Sequence, residues 1–94
     1  MYYIYVGIFM NKNYDIKWRV TQSVCIGEGY YLLILDSTAL KIMAMVLSTH
    51  PVNPTDILSP IKGGHYVVNY INTKLVKIIN ATELNSAEWQ ALAL

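Results

Sequence analysis

The fifteen residues from Tyr66 to Asn80, YVVNYINTKLVKIIN, constrain the fold more than any other stretch. β-Branched and aromatic residues dominate it, which is the composition of a strand. Its periodicity points elsewhere. Wound at about 100° per residue, Val67, Val68, Ile71, Leu75, Ile78 and Ile79 collect on one side. Tyr66, Asn69, Tyr70, Thr73, Lys77 and Asn80 collect on the other, with Asn72 and Lys74 on the flanks, and only Val76 falls on the wrong face. A period-2 reading mixes apolar and polar residues throughout. The pattern predicts an amphipathic helix over 66–80 whose exposed face carries amides, hydroxyls and lysines but no carboxylate. That is the outline of a DNA-reading helix. Two other readings stand beside it: an ordinary core helix with a solvated polar face, and a β-hairpin turning near Asn72-Thr73.

The rest of the chain is read around this segment. Ninety-four residues suit a single domain with one modest core. Hydrophobic residues make up 54% and charged ones only 14%, so the chain folds and hides apolar surface against itself or a partner. Eight tyrosines point the same way, because tyrosine suits half-buried sites and interfaces. The net charge of +1 argues against strong non-specific nucleic-acid binding. The distribution softens that point: residues 1–80 carry a net +3, and the last fourteen add Glu83 and Glu88 and no base.

Met1 to Met10, MYYIYVGIFM, is apolar but too short to span a bilayer. It lacks the basic start of a signal peptide, so it reads as a buried strand, with no membrane role. Asn11-Lys12-Asn13 is turn chemistry. From Asp15 to Ile26 the alternation is fair, with Ile16, Trp18 and Val20 on one face and Asp15, Lys17, Arg19 and Thr21 on the other. Gly27-Glu28-Gly29 is a turn, and Tyr30 to Leu35 a buried strand. Residues 1–35 are thus expected to form a small antiparallel sheet.

At Asp36 the period changes. Asp36 or Ser37 can cap a helix, and Ala39, Ile42, Met43 and Val46 recur at helical steps up to Pro51. A short second helix follows, with Asn53 as cap, Pro54 at the first position and Asp56 at the third. Gly63-Gly64 ends it, and helix 66–80 comes next. Ser86 can cap a last short helix carrying Trp89 and Leu92, within a tail of residues 81–94.

This order, with LDSTALKIMAMVLSTHP, VNPTDILSPI and HYVVNYINTKLVKIIN as successive helices, resembles the OmpR/ToxR-type winged-helix DNA-binding domain over residues of about 18–80. In the third segment Val67, Ile71 and, one residue late, Leu75 follow the family's spacing. The resemblance implies an α+β fold: an N-terminal antiparallel sheet (1–35), a three-helix helix-turn-helix unit (36–80) and a C-terminal tail or short helix (81–94). It also implies a small cytoplasmic transcription regulator, dimeric on double-stranded DNA, with helix 66–80 in the major groove. Asn69 would then read an adenine edge and Thr73 a thymine methyl. Tyr66, Tyr70, Lys74, Lys77 and Lys62 would hold the backbone. Two departures stand out. No glycine follows residue 80 to mark a wing, and the recognition segment contains no arginine.

Nothing in the residues spells catalysis. His50 and His65 lack the partners of a nucleophilic triad, and two histidines and one cysteine, far apart, are no metal site. Gly27-Glu28-Gly29 is no phosphate loop, and no cofactor is implied. Cys25 admits no internal disulfide, which suits a reducing, cytoplasmic compartment; it reads as packed within its strand. The second functional reading is therefore a non-enzymatic protein-binding module. It would be a modulator of a larger regulator, or a phage- or plasmid-encoded inhibitor of a host protein. Low charge, many tyrosines, the missing wing and the acidic tail favour it.

Overall fold

In the computed structural model of the chain, residues 16–38 and 40–93 are described. The strand expected at 2–10 and the turn at 11–13 lie outside them. Six antiparallel strands close into a barrel: β1 (Trp18–Gly27), β2 (Tyr30–Asp36), β3 (Lys41–Ser48), β4 (Ile57–Pro60), β5 (His65–Val68) and β6 (Ile71–Glu83). Their order around the barrel is β1-β2-β3-β6-β5-β4, and β1 meets β4 to close it. One helix, α1 (Ser86–Ala93), follows β6. Among the described residues no helix is long and apolar enough to cross a membrane.

The first strands form as their alternation dictates. Trp18 and Val20 point into the barrel while Arg19 faces solvent. Glu28-Gly29 makes the β1–β2 turn, with Gly29 at φ 77° as such a tight connection requires. Ser37 then shapes the β2–β3 turn instead of capping a helix: its hydroxyl accepts from Leu40 N at 3.2 Å, and its N–H donates to Leu40 O at 2.9 Å.

All three helices expected over 36–80 are strands and turns, so the α+β helix-turn-helix architecture is replaced by a mostly β barrel. The first expected helix is β3. Ile42, Ala44 and Val46 face inward, yet Met43 and Met45 on the other side are also largely covered. A strand apolar on both faces has no visible period of two. The second expected helix is a β-turn over Asn53–Asp56: Asp56 N donates to Asn53 O at 3.1 Å, Pro54 stands second, and Thr55 adopts φ 78°. From there the chain passes into β4. The connection 49–56 carries it from β3 to β4 across one end of the barrel, with Val52 buried there as a plug.

The third expected helix, 66–80, is a hairpin. β5 and β6 pair from His65↔Lys77 to Val68↔Ile71 around a two-residue turn, Asn69-Tyr70. Both turn residues have positive φ, 52° and 63°, which matches the twist of two-residue hairpins. The hairpin reading had the right element with its turn three residues late. Val76, the residue that fitted no helical face, is fully buried in the core. Tyr66, assigned to the polar face, is 3% exposed, whereas Ile71, assigned to the apolar face, is 40% exposed.

Side chains fill the barrel: Trp18, Leu33, Leu35, Ile42, Val46, Leu58, Val68 and Val76 lie at its centre. Tyr66 shares this core, and burial pushes its phenol well above the usual tyrosine range, with the Trp18 side chain acting in the opposite direction. A raised folded-state pKa means the native state holds its proton longer than the unfolded chain. Stability is therefore fully present below about pH 10 and is lost as pH climbs beyond it. Urea midpoints measured from neutral to alkaline pH should stay level and then fall, and Tyr66→Phe should flatten that fall.

Candidate functional site

Helix α1 packs on the outside of the barrel. Asn85 caps it, its side-chain oxygen accepting from Glu88 N at 3.0 Å, so the cap is one residue earlier than the expected Ser86. Trp89 is the buried residue of the helix, and it sits on Leu32, Ile34 and Met43 of the outer sheet face. The outer faces of β2 and β3 are apolar here because this helix needs something to cover.

The helix covers only part of that surface. Beside it lies an open cleft of about 320 Å³. Ile26 of β1, Leu32 of β2, Met43 and Met45 of β3, Asn80, Ala81 and Thr82 of β6, and Glu88 and Leu92 of α1 line it. The next row of the sheet continues the apolar surface. Tyr30 pairs with Leu47, which pairs with Lys77, so their side chains share a face. Tyr30, Leu47, Ile26, Ile79 and Leu92 are all exposed.

Two of these residues are exposed for a structural reason. Ile26 is the extra residue where β1 shifts register between Cys25 and Gly27. Ile79 is the extra residue where β6 runs from Ile78 to Asn80 opposite the step Met45/Val46. Each is a β-bulge, a device that re-aims a side chain and recurs next to functional sites. The two bulges flank the Tyr30–Leu47 pair, one on β1 and one on β6. Both isoleucines stand well out of the sheet, 42% and 43% exposed.

The residues assigned to DNA contact are distributed over the core, two turns and strand β6. Tyr66 lies in the core. Asn69 and Tyr70 form the β5–β6 turn, and Lys62 is in the β4–β5 turn (Lys62–Gly64) at the other end of β5. Thr73 and Lys74 lie early in β6, and Lys77 stands on β6 between Leu47 and His65.

Asn69 has a clear structural task. Its Oδ1 accepts from Ile57 N at 2.9 Å, and its Nδ2 donates to Asp56 Oδ1 at 3.1 Å, tying the hairpin turn to the start of β4. Asn69→Ala loses both bonds and puts a side chain without a local polar group at positive φ, for a cost of about 2–3 kcal/mol. Asn69→Gly relieves the backbone and should fall between it and the native chain; thermal melts of the three proteins check the order. Tyr70 is exposed on the same turn, with Lys17 Nζ donating to its hydroxyl at 3.0 Å. Lys17 and Ser59 hold its phenol below the usual range.

Cys25, expected to be packed, is exposed, with its thiol donating to Gly27 O at 3.1 Å. His50 and His65 each bond locally, to Thr49 Oγ1 and to Gly63 O. Among the described residues no group of His, Cys, Asp and Glu is placed to hold a metal ion. The apolar surface itself was missed at residue level. Its signals in the sequence were an excess of hydrophobic residues over what a small core needs and the number of tyrosines.

Comparison with known proteins places the chain. The profile of the IraM/PmrD family matches residues 16–90. The signal transduction protein PmrD of Escherichia coli K12 is 30% identical over 78 residues, covering 80% of this chain and 89% of its own. That of Salmonella typhimurium is 31% identical over 80 residues, covering 82% and 94%. The crystal structure of E. coli PmrD superposes with a TM-score of 0.76 at 29% identity, over 81% of this chain and 93% of that one. The solution structure of PmrD from Klebsiella pneumoniae gives 0.68 at 26% identity, over 81% and 96%. These matches and the closed barrel overturn the winged-helix resemblance, and with it the expectation of a helix-turn-helix, DNA-binding transcription regulator.

Proposed function

This chain belongs to the IraM/PmrD family, and from that premise we propose that it is a non-enzymatic protein-binding module of signal transduction. It modulates a larger regulator by docking on it through the outer face of β1, β2, β3 and β6. The observation that carries this reading is the apolar surface around the Tyr30–Leu47 pair, with an isoleucine at the bulge on either side. Exposed apolar patches rimmed by polar residues mark interaction sites. Bulky side chains on a rigid sheet make good anchors, because little conformational entropy is lost when they are covered. The relatives are named signal transduction proteins, which supports a regulatory role over a metabolic one.

Site-directed photo-crosslinking in living cells tests the proposal. A crosslinking amino acid at position 47 or 79 should yield one discrete adduct with a regulatory protein, and the same group at position 62 should not. Adducts of equal yield from all three positions, or none from 47 and 79, would contradict it.

A further inference from the structure

The β1–β4 seam is the shortest junction of the barrel, with two registered pairs, Trp18↔Leu58 and Arg19↔Ile57. The short strand β4 stands between β1 on one side and β5 on the other. We propose that Lys17 and Tyr70 form a strap across the outside of β4, and that this strap governs local opening of the barrel at the seam. Lys17 immediately precedes β1, and Tyr70 belongs to the turn between β5 and β6, so a contact between them spans β4. That contact is direct. Lys17 Nζ donates to the Tyr70 hydroxyl at 3.0 Å and lies 5.0 Å from the centre of its ring.

Ser59 marks the place that is crossed. Its neighbour Leu58 lies in the core, so Ser59 faces outward from β4. Continued by one residue, the register Trp18↔Leu58 sets Lys17 opposite Ser59. The Ser59 side chain also acts with Lys17 on the Tyr70 phenol, which brings the tyrosine hydroxyl over the same strand. Although it faces outward, Ser59 is only 7% exposed, which fits a strap lying over it. The backbone of Tyr70 gives a second argument. Its φ of 63° is a conformation that favours glycine, and a tyrosine held there costs the turn free energy. The contact with Lys17 offsets that cost, and glycine could not make it. Asn69 bonds the same turn to Ile57 and Asp56 at the start of β4, so the ring is aimed from a fixed base.

Amide hydrogen exchange of the full chain tests this residue by residue, because protection reports how often each hydrogen bond opens. Two amides report on the seam: Val20 N donates to Asp56 O at 2.9 Å, and Thr55 N donates to Val20 O at 2.7 Å. Ser48 N, which donates to Gly29 O at 2.8 Å, reports on the end of β3, away from the seam. Tyr70→Gly relieves the turn backbone and removes the ring. It should speed exchange at Val20 and Thr55 about fivefold, the order of one exposed cation–π contact, and leave Ser48 as it was. Lys17→Met keeps the stem without the ammonium and should act in the same direction at the same two amides. The double variant should exchange no faster than Tyr70→Gly, since both changes remove one shared contact. A tyrosine without a strapping role gives the opposite sign, because glycine at this turn position then only strengthens the hairpin. Unchanged or slower exchange at Val20 and Thr55 in either single variant would overturn the proposal. Equal acceleration at Ser48, or summed effects in the double variant, would do the same.

Discussion

Trp18→Ala should lower the stability of the barrel by about 3–5 kcal/mol. A small domain holds only about 5–15 kcal/mol in all, so the variant should unfold at a far lower urea concentration than the native chain. Trp18 carries this weight because of where it sits. It is one of the largest fully buried side chains, and it lies at the start of β1, where β1 meets β4 and the barrel closes. Only two registered pairs, Trp18↔Leu58 and Arg19↔Ile57, form that seam, helped by Val20 N to Asp56 O at 2.9 Å and Thr55 N to Val20 O at 2.7 Å. Removing the indole opens a cavity beside the weakest junction of the barrel. Trp18→Phe, which refills most of the space, should lose much less. Leu92→Ala, at a largely exposed position, should change the unfolding free energy by no more than about 1 kcal/mol.

Leu47→Arg and Ile79→Arg should have the opposite profile. Each should weaken the affinity for the crosslinked partner by about 30-fold, the effect of losing roughly 2 kcal/mol at an interface hot spot. Each should leave the urea midpoint of the isolated chain nearly unchanged. Leu47 faces outward from β3, and Ile79 is set out by its bulge, so neither takes part in the core. Arginine at either place remains solvated in the free protein and is driven into an apolar contact only in the complex. Titration calorimetry of each variant against the purified partner, beside its denaturation curve, separates the two effects. If Leu47→Arg and Ile79→Arg bind as the native chain does, the docking face lies elsewhere on the barrel.

Part of this structure could be read directly from the residues. β1 and β2 follow their alternation and composition, the Gly27-Glu28-Gly29 turn is where its glycines place it, and a short helix carries Trp89 near the C-terminus. The helices expected over 36–80 fail for reasons that are physical and local. β3 is covered on both sides, by the core and by α1, so its apolar residues fall at helical spacing as readily as at strand spacing. In 66–80 the period of two is broken three times, by the Asn69-Tyr70 turn, by the register shift at Asn72–Lys74 opposite the step from Val67 to Val68, and by the bulge at Ile79. Three phase breaks in fifteen residues leave no period of two to follow, and Val76 alone revealed the error.

Pro54 and Asp56 suit a helix start and a β-turn equally well, and what separates them is Thr55 at positive φ, which no local rule suggests. The proposed docking face was legible only through composition, as a surplus of apolar residues and eight tyrosines, of which Tyr30 stands on it. Placing Ile26, Tyr30, Leu47 and Ile79 together needs the register of four strands, which is information held between strands and not within any one of them.

Isoleucine δ1-methyl spectra of the chain, recorded free and bound to its crosslinked partner, test whether the outer face of β1, β2, β3 and β6 is the docking face. Ile26 and Ile79 flank the proposed face, while Ile61 and Ile71 are equally exposed at other places on the barrel, after β4 and at the start of β6. Ile26 and Ile79 should shift on binding, and Ile61 and Ile71 should stay where they were. Shifts at Ile61 and Ile71 with Ile26 and Ile79 unmoved would contradict it and move the docking site to another side of the barrel.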